Sequence, residues 1–169
     1  EQDLRFLRLL GPSLRTFTSK SESPELFKMA LSSFLTVTEL TCVVSSAEAI
    51  DAVKERASTL KKLDLQTDYR SPFIANDLSF LASCIHLTAL TLGPGIPYHL
   101  AIPHLVHMPS LESLSLDHNE GVPFPNDDPS LHQIAGQLKE FSYRSRGEIA
   151  SISAPLLKKM QSLEKLTLR

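Results

Sequence analysis

Three histidines, His99, His104 and His107, lie five and three residues apart. A helix begun at His104 would put His107 on nearly the same face, a spacing that two-ligand metal sites use. Nearby acids are absent, Pro103 and Pro109 bracket the pair, and Leu105 and Val106 are read as facing a core, so the expectation is a surface helix and no metal. Asp117-His118-Asn119-Glu120 gathers four polar groups where a binding loop would sit, and it reads equally as a turn in which Asn119 satisfies backbone donors. Ser58-x-x-Lys61 has the spacing of serine acyl-transfer enzymes, but Ser58 closes a helix, Lys61 enters a strand, and neither companion motif is present. Gly93-Pro94-Gly95 lacks the spacing of a phosphate loop. No paired carboxylates, Cys-x-x-Cys or Ser/His/Asp arrangement stands out. Neither an enzyme nor a cofactor is expected. Cys42 and Cys84 read as small buried hydrophobes in a reducing compartment, with a disulfide between them as the alternative.

The elements that would position these groups recur. Leu14-x-x-Phe17-x-Ser19, Val37-x-x-Leu40-x-Cys42, Leu60-x-x-Leu63-x-Leu65, Leu87-x-x-Leu90-x-Leu92, Leu111-x-x-Leu114-x-Leu116, Leu138-x-x-Phe141-x-Tyr143 and Leu163-x-x-Leu166-x-Leu168 start 23, 23, 27, 24, 27 and 25 residues apart. Two apolar side chains two residues apart form one face of a short strand, and each interval is long enough to return the chain for a parallel pairing. The connectors carry helix starts. Ser45-x-x-Glu48 has capping-box spacing, with Ile50, Val53 and Ala57 on one face. Ser23-Pro24 and Asp128-Pro129 pair an N-cap with proline at the first helical position, leading into Leu26-Met29-Ala30 and Leu131-Ile134-Ala135. Similar turns follow Asn76 and Ser153, and the segment from Asp117 to Asp128 reads as a protruding loop.

These repeats resemble the leucine-rich repeat family over nearly the whole chain, with L-x-x-L-x-L unsubstituted from residues 60, 87, 111 and 163. Asn119 stands where that family has Asn or Cys, whereas Ser45, Asp68 and Gly95 occupy the corresponding places of other copies. The uneven spacing and the missing asparagines are similar to the irregular intracellular repeats of F-box proteins. The resemblance implies an α/β solenoid, curved, with a parallel sheet on the concave side and helices or helical turns on the convex side. It implies protein recognition, most sharply the substrate-binding repeats of a ubiquitin ligase receptor, whose adaptor would be held by an F-box outside these residues. The alternatives are the repeat domain of an immune receptor or a ribonuclease-inhibitor-like binder, and a structural fragment of a larger assembly.

On such a face strands lie about 4.8 Å apart, so seven span roughly 29 Å. The central outward column reads Thr18, Thr41, Asp64, Thr91, Ser115, Ser142 and Thr167, six small hydroxyls in seven positions. Strand propensity alone would also favour such residues. Flanking columns read Thr16, Glu39, Lys62, Ala89, Ser113, Glu140, Lys165 and Lys20, Val43, Gln66, Gly93, Asp117, Arg144, Arg169. The residues expected to touch a partner are Thr18, Lys20, Glu39, Thr41, Lys62, Asp64, Gln66, Thr91, Ser115, Asp117, Ser142 and Arg144. Tyr69 and Tyr98 are the aromatic anchors expected from the rims.

Composition fits one domain spanning residues 1–169. The chain is 42% hydrophobic and 21% charged, and its net charge of −2 gives no pull toward nucleic acid or acidic membranes. No stretch approaches the ~18 apolar residues of a membrane helix. None of Asn76, Asn119 or Asn126 is followed two residues later by Ser or Thr, which favours cytoplasm or nucleus. Leu4, Phe6, Leu7, Leu9 and Leu10 at one end and Arg169 just past the last repeat at the other leave no polar cap, so a fragment truncated at both ends is expected.

Overall fold

A computed structural model describes residues 13–20, 23–67, 77–117, 124–145 and 152–169. Seven strands form one parallel sheet in chain order: β1 (Thr16–Ser19), β2 (Glu39–Val44), β3 (Lys62–Thr67), β4 (Ala89–Leu92), β5 (Ser113–Asp117), β6 (Glu140–Arg144) and β7 (Lys165–Leu168). The class is α/β. Each strand pairs with the next so that equivalent residues of successive repeats are neighbours, for example Phe17, Leu40, Leu63, Leu90, Leu114, Phe141 and Leu166.

Local hydrogen bonding explains why the register holds despite unequal spacing. At each strand start one carbonyl accepts two N–H groups from the following repeat: Arg15 O from Thr38 and Glu39, Thr38 O from Lys61 and Lys62, Lys61 O from Thr88 and Ala89. Thr88, Glu112 and Lys139 repeat the arrangement. Length differences are therefore absorbed between strands, where they cost only loop entropy, and the pairing itself does not slip.

The connectors are short. They comprise α1 (Pro24–Ser33), α2 (Ala47–Lys54), α3 (Tyr98–Ala101), α4 (Pro129–Ile134) and α5 (Ala154–Lys159), with 3₁₀ turns at Ala57–Thr59, Ser79–Ser83, Ile102–His107 and Ala135–Gln137. Side chains of Ser23, Ser46, Asp128 and Ser153 accept the first free N–H groups of α1, α2, α4 and α5. The α2 cap is thus Ser46, one residue later than the expected Ser45, accepting from Ala49 N at 3.3 Å. Glu48 consequently sits at the second helical position, where its own N–H and the Ser46 hydroxyl lower its carboxyl pKa. The apolar face of α1 also differs from expectation. Phe27, Ala30 and Leu31 are buried, while Leu26 and Met29 are 57% and 39% exposed, because helical periodicity aligns Phe27 with Leu31 and Phe34.

Inward strand residues and the connectors share one core running from Phe27 to Met160, including Cys42, Leu63, Leu90, Leu114, Phe141 and Tyr143. Cys42 and Cys84 are both buried free thiols, not a disulfide. A smaller cluster of Ala30, Phe34 and Val37 supports β1, where Phe17 packs 5.2 Å from Phe34. At the other edge Leu166 and Leu168 occupy inward positions yet are 43% and 46% exposed. Tyr98 is buried within the core and offers no rim anchor; as the first residue of α3 it points inward with Ile102. Val106 is only half-buried, while Leu105 is fully buried. The expected loop up to Asp128 also folds back in part: Phe124 is buried edge-on to Tyr143, with ring centroids 4.7 Å apart, because a phenyl ring gains more from the core than from water. Leu4, Phe6, Leu7, Leu9, Leu10, Asp68, Tyr69, Asn76, His118, Asn119 and Glu120 lie outside the described residues. Among the described residues no helix is long and apolar enough to cross a membrane.

Candidate functional site

The sheet has one face packed against the connectors and one open, and strand alternation sends every second side chain to the open face. The register builds the central column as expected, placing Thr18, Thr41, Asp64, Thr91, Ser115, Ser142 and Thr167 side by side. Thr18 is exposed and the others are half-buried. Asp64 is the one carboxylate in the column. Partial burial raises its pKa, opposed by the Gln66 amide, whose Nε2 donates to both carboxylate oxygens at 3.1 and 3.2 Å.

The column at the strand starts is a ladder of paired charges. Lys62 Nζ lies 2.9 Å from Glu39 Oε1, and the Thr16 hydroxyl donates to Glu39 Oε2 at 3.1 Å. Those two hydrogen bonds, Lys62 first, lower the Glu39 pKa. Further along, Ser113 Oγ donates to Glu140 at 3.4 Å and Lys165 lies 3.8 Å from the same carboxylate. Such exposed pairs are screened by solvent and contribute little stability.

The column at the strand ends is more differentiated. Lys20 is exposed just past β1, and Val43 and Gln66 are half-buried. Asp117 departs from its expected place on an accessible surface: only 9% of it is exposed, since it ends β5 between the strand's buried Leu116 and Arg144 of β6. Its Oδ2 lies 3.4 Å from Arg144 Nη1, and its Oδ1 is buried with no hydrogen-bond partner among the described residues. An unpaired buried acceptor costs about 1–3 kcal/mol, more when charged, so this carboxylate is held there at a cost.

Between these columns lies a recess of about 260 Å³ bordered by Gln66, Thr91, Gly93, Pro94, Ser115, Leu116, Asp117, Ser142 and Arg144. Its floor exists because three successive strands carry small hydroxyls, and its wall because Gly93-Pro94-Gly95 turns tightly over β3. A Cβ at Gly93 would stand 2.6 Å from Gln66 Cγ, and Gly95 has φ +81°. Thr67 clamps this turn, donating from its hydroxyl and its N–H to Pro94 O at 2.9 and 3.1 Å. Six of the twelve expected partner-contacting residues, Gln66, Thr91, Ser115, Asp117, Ser142 and Arg144, meet at this recess. Thr18, Lys20, Glu39, Thr41, Lys62 and Asp64 are not among those bordering it. The sequence places Gly93 in this outward column, but sequence reasoning missed Phe124 as a structural determinant of this end; an aromatic between two prolines in a polar stretch was the available signal.

His104 and His107 lie in the 3₁₀ turn, half-buried and exposed respectively. Among the described residues no group of three His, Cys, Asp or Glu comes within reach of one metal ion. The recess can hydrogen-bond and pair charges; among the described residues its lining contains no histidine or cysteine. The chain matches no protein-family model and no curated protein.

Proposed function

We propose that this chain is a leucine-rich-repeat solenoid acting as a protein-recognition scaffold, with the open sheet face as the concave, partner-binding surface. The observation that carries this reading is the unbroken register of outward side chains across seven parallel strands: one contiguous face of small hydroxyls edged by exposed ion pairs and ending in a polar recess. A face with short side chains lets a partner approach the backbone closely, and its charged edges supply orientation. The sharper form of the reading, resting on resemblance to F-box proteins, is a substrate receptor for ubiquitination in cytoplasm or nucleus. Its partners would be a protein target and, through an F-box outside these residues, a ligase adaptor; neither nucleic acid nor membrane is part of the reading.

The test is site-specific photo-crosslinking in cell extract, with the cross-linker at Thr41, Thr91 or Ser142 on the open face and at Leu26 or Met29 on the opposite side. Discrete protein adducts at the face positions are expected. Adducts confined to Leu26 and Met29 would refute the face assignment. A captured protein whose turnover is unchanged on loss of this chain would remove the ubiquitination part and leave the scaffold.

A further inference from the structure

We propose that the recess at the C-terminal ends of β4, β5 and β6 receives a cationic side chain, arginine or lysine, of a protein partner, with Asp117 as its counter-charge and Arg144 as the internal cation it displaces. This deepens, and rests on, the open face being a recognition surface.

The reasoning starts from Asp117. A carboxylate can accept about four hydrogen bonds, and two oxygens held in a nearly buried position normally find donors. Among the described residues Oδ1 has none and Oδ2 has one, to Arg144 Nη1 at 3.4 Å, well beyond the 2.7–2.9 Å of a strong charge-assisted bond. The carboxylate is therefore under-satisfied where it is most desolvated. Arg144 is a loose partner. Its side chain is 55% exposed and its single contact to Asp117 is not bidentate, so swinging outward gives up little. The surroundings suit a group rich in donors: Ser115 and Ser142, whose hydroxyls can accept hydrogen bonds, border the same recess of about 260 Å³.

Charge selects the same occupant. Asp64, in the central column beside Thr91, carries a second carboxylate toward the same face. An incoming anion attracted by Arg144 would have to settle against Asp117. An incoming cation releases Arg144 from a long contact and meets the Asp117 carboxylate, while Asp64 lies on the same face outside the recess with its oxygens engaged by Gln66. A guanidinium fits best, since its planar fork can reach Asp117 and the flanking hydroxyls together.

The experiment is an NMR titration of the ¹⁵N-labelled chain with N-acetyl-arginine methylamide, run beside its neutral citrulline and anionic glutamate counterparts. Saturable shifts at the amides of Leu116, Asp117 and Ser142 with the arginine probe, and none with citrulline, are expected. Asp117→Asn should weaken that binding by roughly tenfold or more, the loss of one charge-assisted contact. Arg144→Gln removes the internal competitor and should tighten it several-fold, a gain that general destabilisation of the site would not produce. Melting curves confirm that both variants fold. Equal shifts with citrulline, preferential binding of the glutamate probe, or weakening in Arg144→Gln would each overturn the assignment. No shifts with any probe while partners still cross-link at Thr41 and Thr91 would overturn the cation site alone and leave the face standing. Cross-links absent from the face altogether would overturn both.

Discussion

Replacing Gly95 with Ala should destabilise the fold far more than its position on a surface turn suggests. Gly95 has φ +81°, and a Cβ there would overlap Thr67 Oγ1. Two contributions add. Holding an L-residue with a side chain in the left-handed region costs roughly 1–2 kcal/mol. Thr67 is 6% exposed and its hydroxyl donates to Pro94 O at 2.9 Å, so pushing it aside strands the buried hydroxyl, although Pro94 O keeps the Thr67 N–H. That second loss is about 1–3 kcal/mol, for a total of about 2–5 kcal/mol. In a chain of this size about 1 kcal/mol moves the melting midpoint by 2–4 °C, so Tm should fall by roughly 4–20 °C. The internal control is Gly136→Ala. Among the described residues its Cβ would meet only Lys159 O at 3.7 Å, its φ is not positive, and the change should be neutral or stabilising by up to about 1 kcal/mol. Equilibrium urea unfolding followed by far-ultraviolet circular dichroism measures both. In a Thr67→Ala background the Gly95 substitution should cost only its backbone part, about 1–2 kcal/mol. A Gly95→Ala loss below about 1 kcal/mol, or one equal to that of Gly136→Ala, would refute the clamp between β3 and this turn.

Leu90 and Thr91 are adjacent on β4 but face opposite ways, so Leu90→Ala should cost about 2–5 kcal/mol and Thr91→Ala within about 0.5 kcal/mol in the same unfolding assay. Asp64 has a raised carboxyl pKa through partial burial. In the window between its ordinary and its raised pKa the folded state binds more protons than the unfolded, so stability contributed here falls as pH rises through that window. Asp64→Asn should therefore stabilise the protein at neutral pH and not at pH 3, and a gain of equal size at both would contradict the burial. Burial also raises both thiol pKa values, Cys84 to about 12. Neither cysteine should react with a thiol-specific disulfide reagent in the native protein at pH 8, and both should react in denaturant; a fast-reacting native thiol would place one of them near solvent.

How much of this was legible beforehand depends on how local the cause is. The inward residues Leu40, Leu63, Leu90 and Leu114 are buried where the repeat placed them, because strand alternation converts a two-residue spacing directly into a face. The α4 and α5 caps at Asp128 and Ser153 were equally legible, since a short side chain and a neighbouring proline act within a few residues. The α2 cap slipped from Ser45 to Ser46 because two adjacent serines offer the same oxygen, and the choice follows from where β2 ends. Leu26 and Met29 were misplaced because α1 could turn either of two apolar stripes inward; Phe17 of β1, stacked 6.2 Å from Phe27 and packed on the cap residue Phe34, lies on the side of the stripe that carries Phe27.

The candidate site divides along the same line. By itself the sequence determined that seven strands follow one another, that their outward residues form columns, and that Thr91, Ser115 and Ser142 are neighbours, since each consequence follows from period and alternation alone. Only the tertiary structure decided that Asp117 is buried and under-bonded, that Arg144 contacts it through one long bond, that Gly95 is clamped by Thr67, and that Phe124 returns to the core beside Tyr143. Burial and charge pairing depend on which atoms from residues some twenty or more positions away occupy the remaining space, and no pattern within one repeat carries that information.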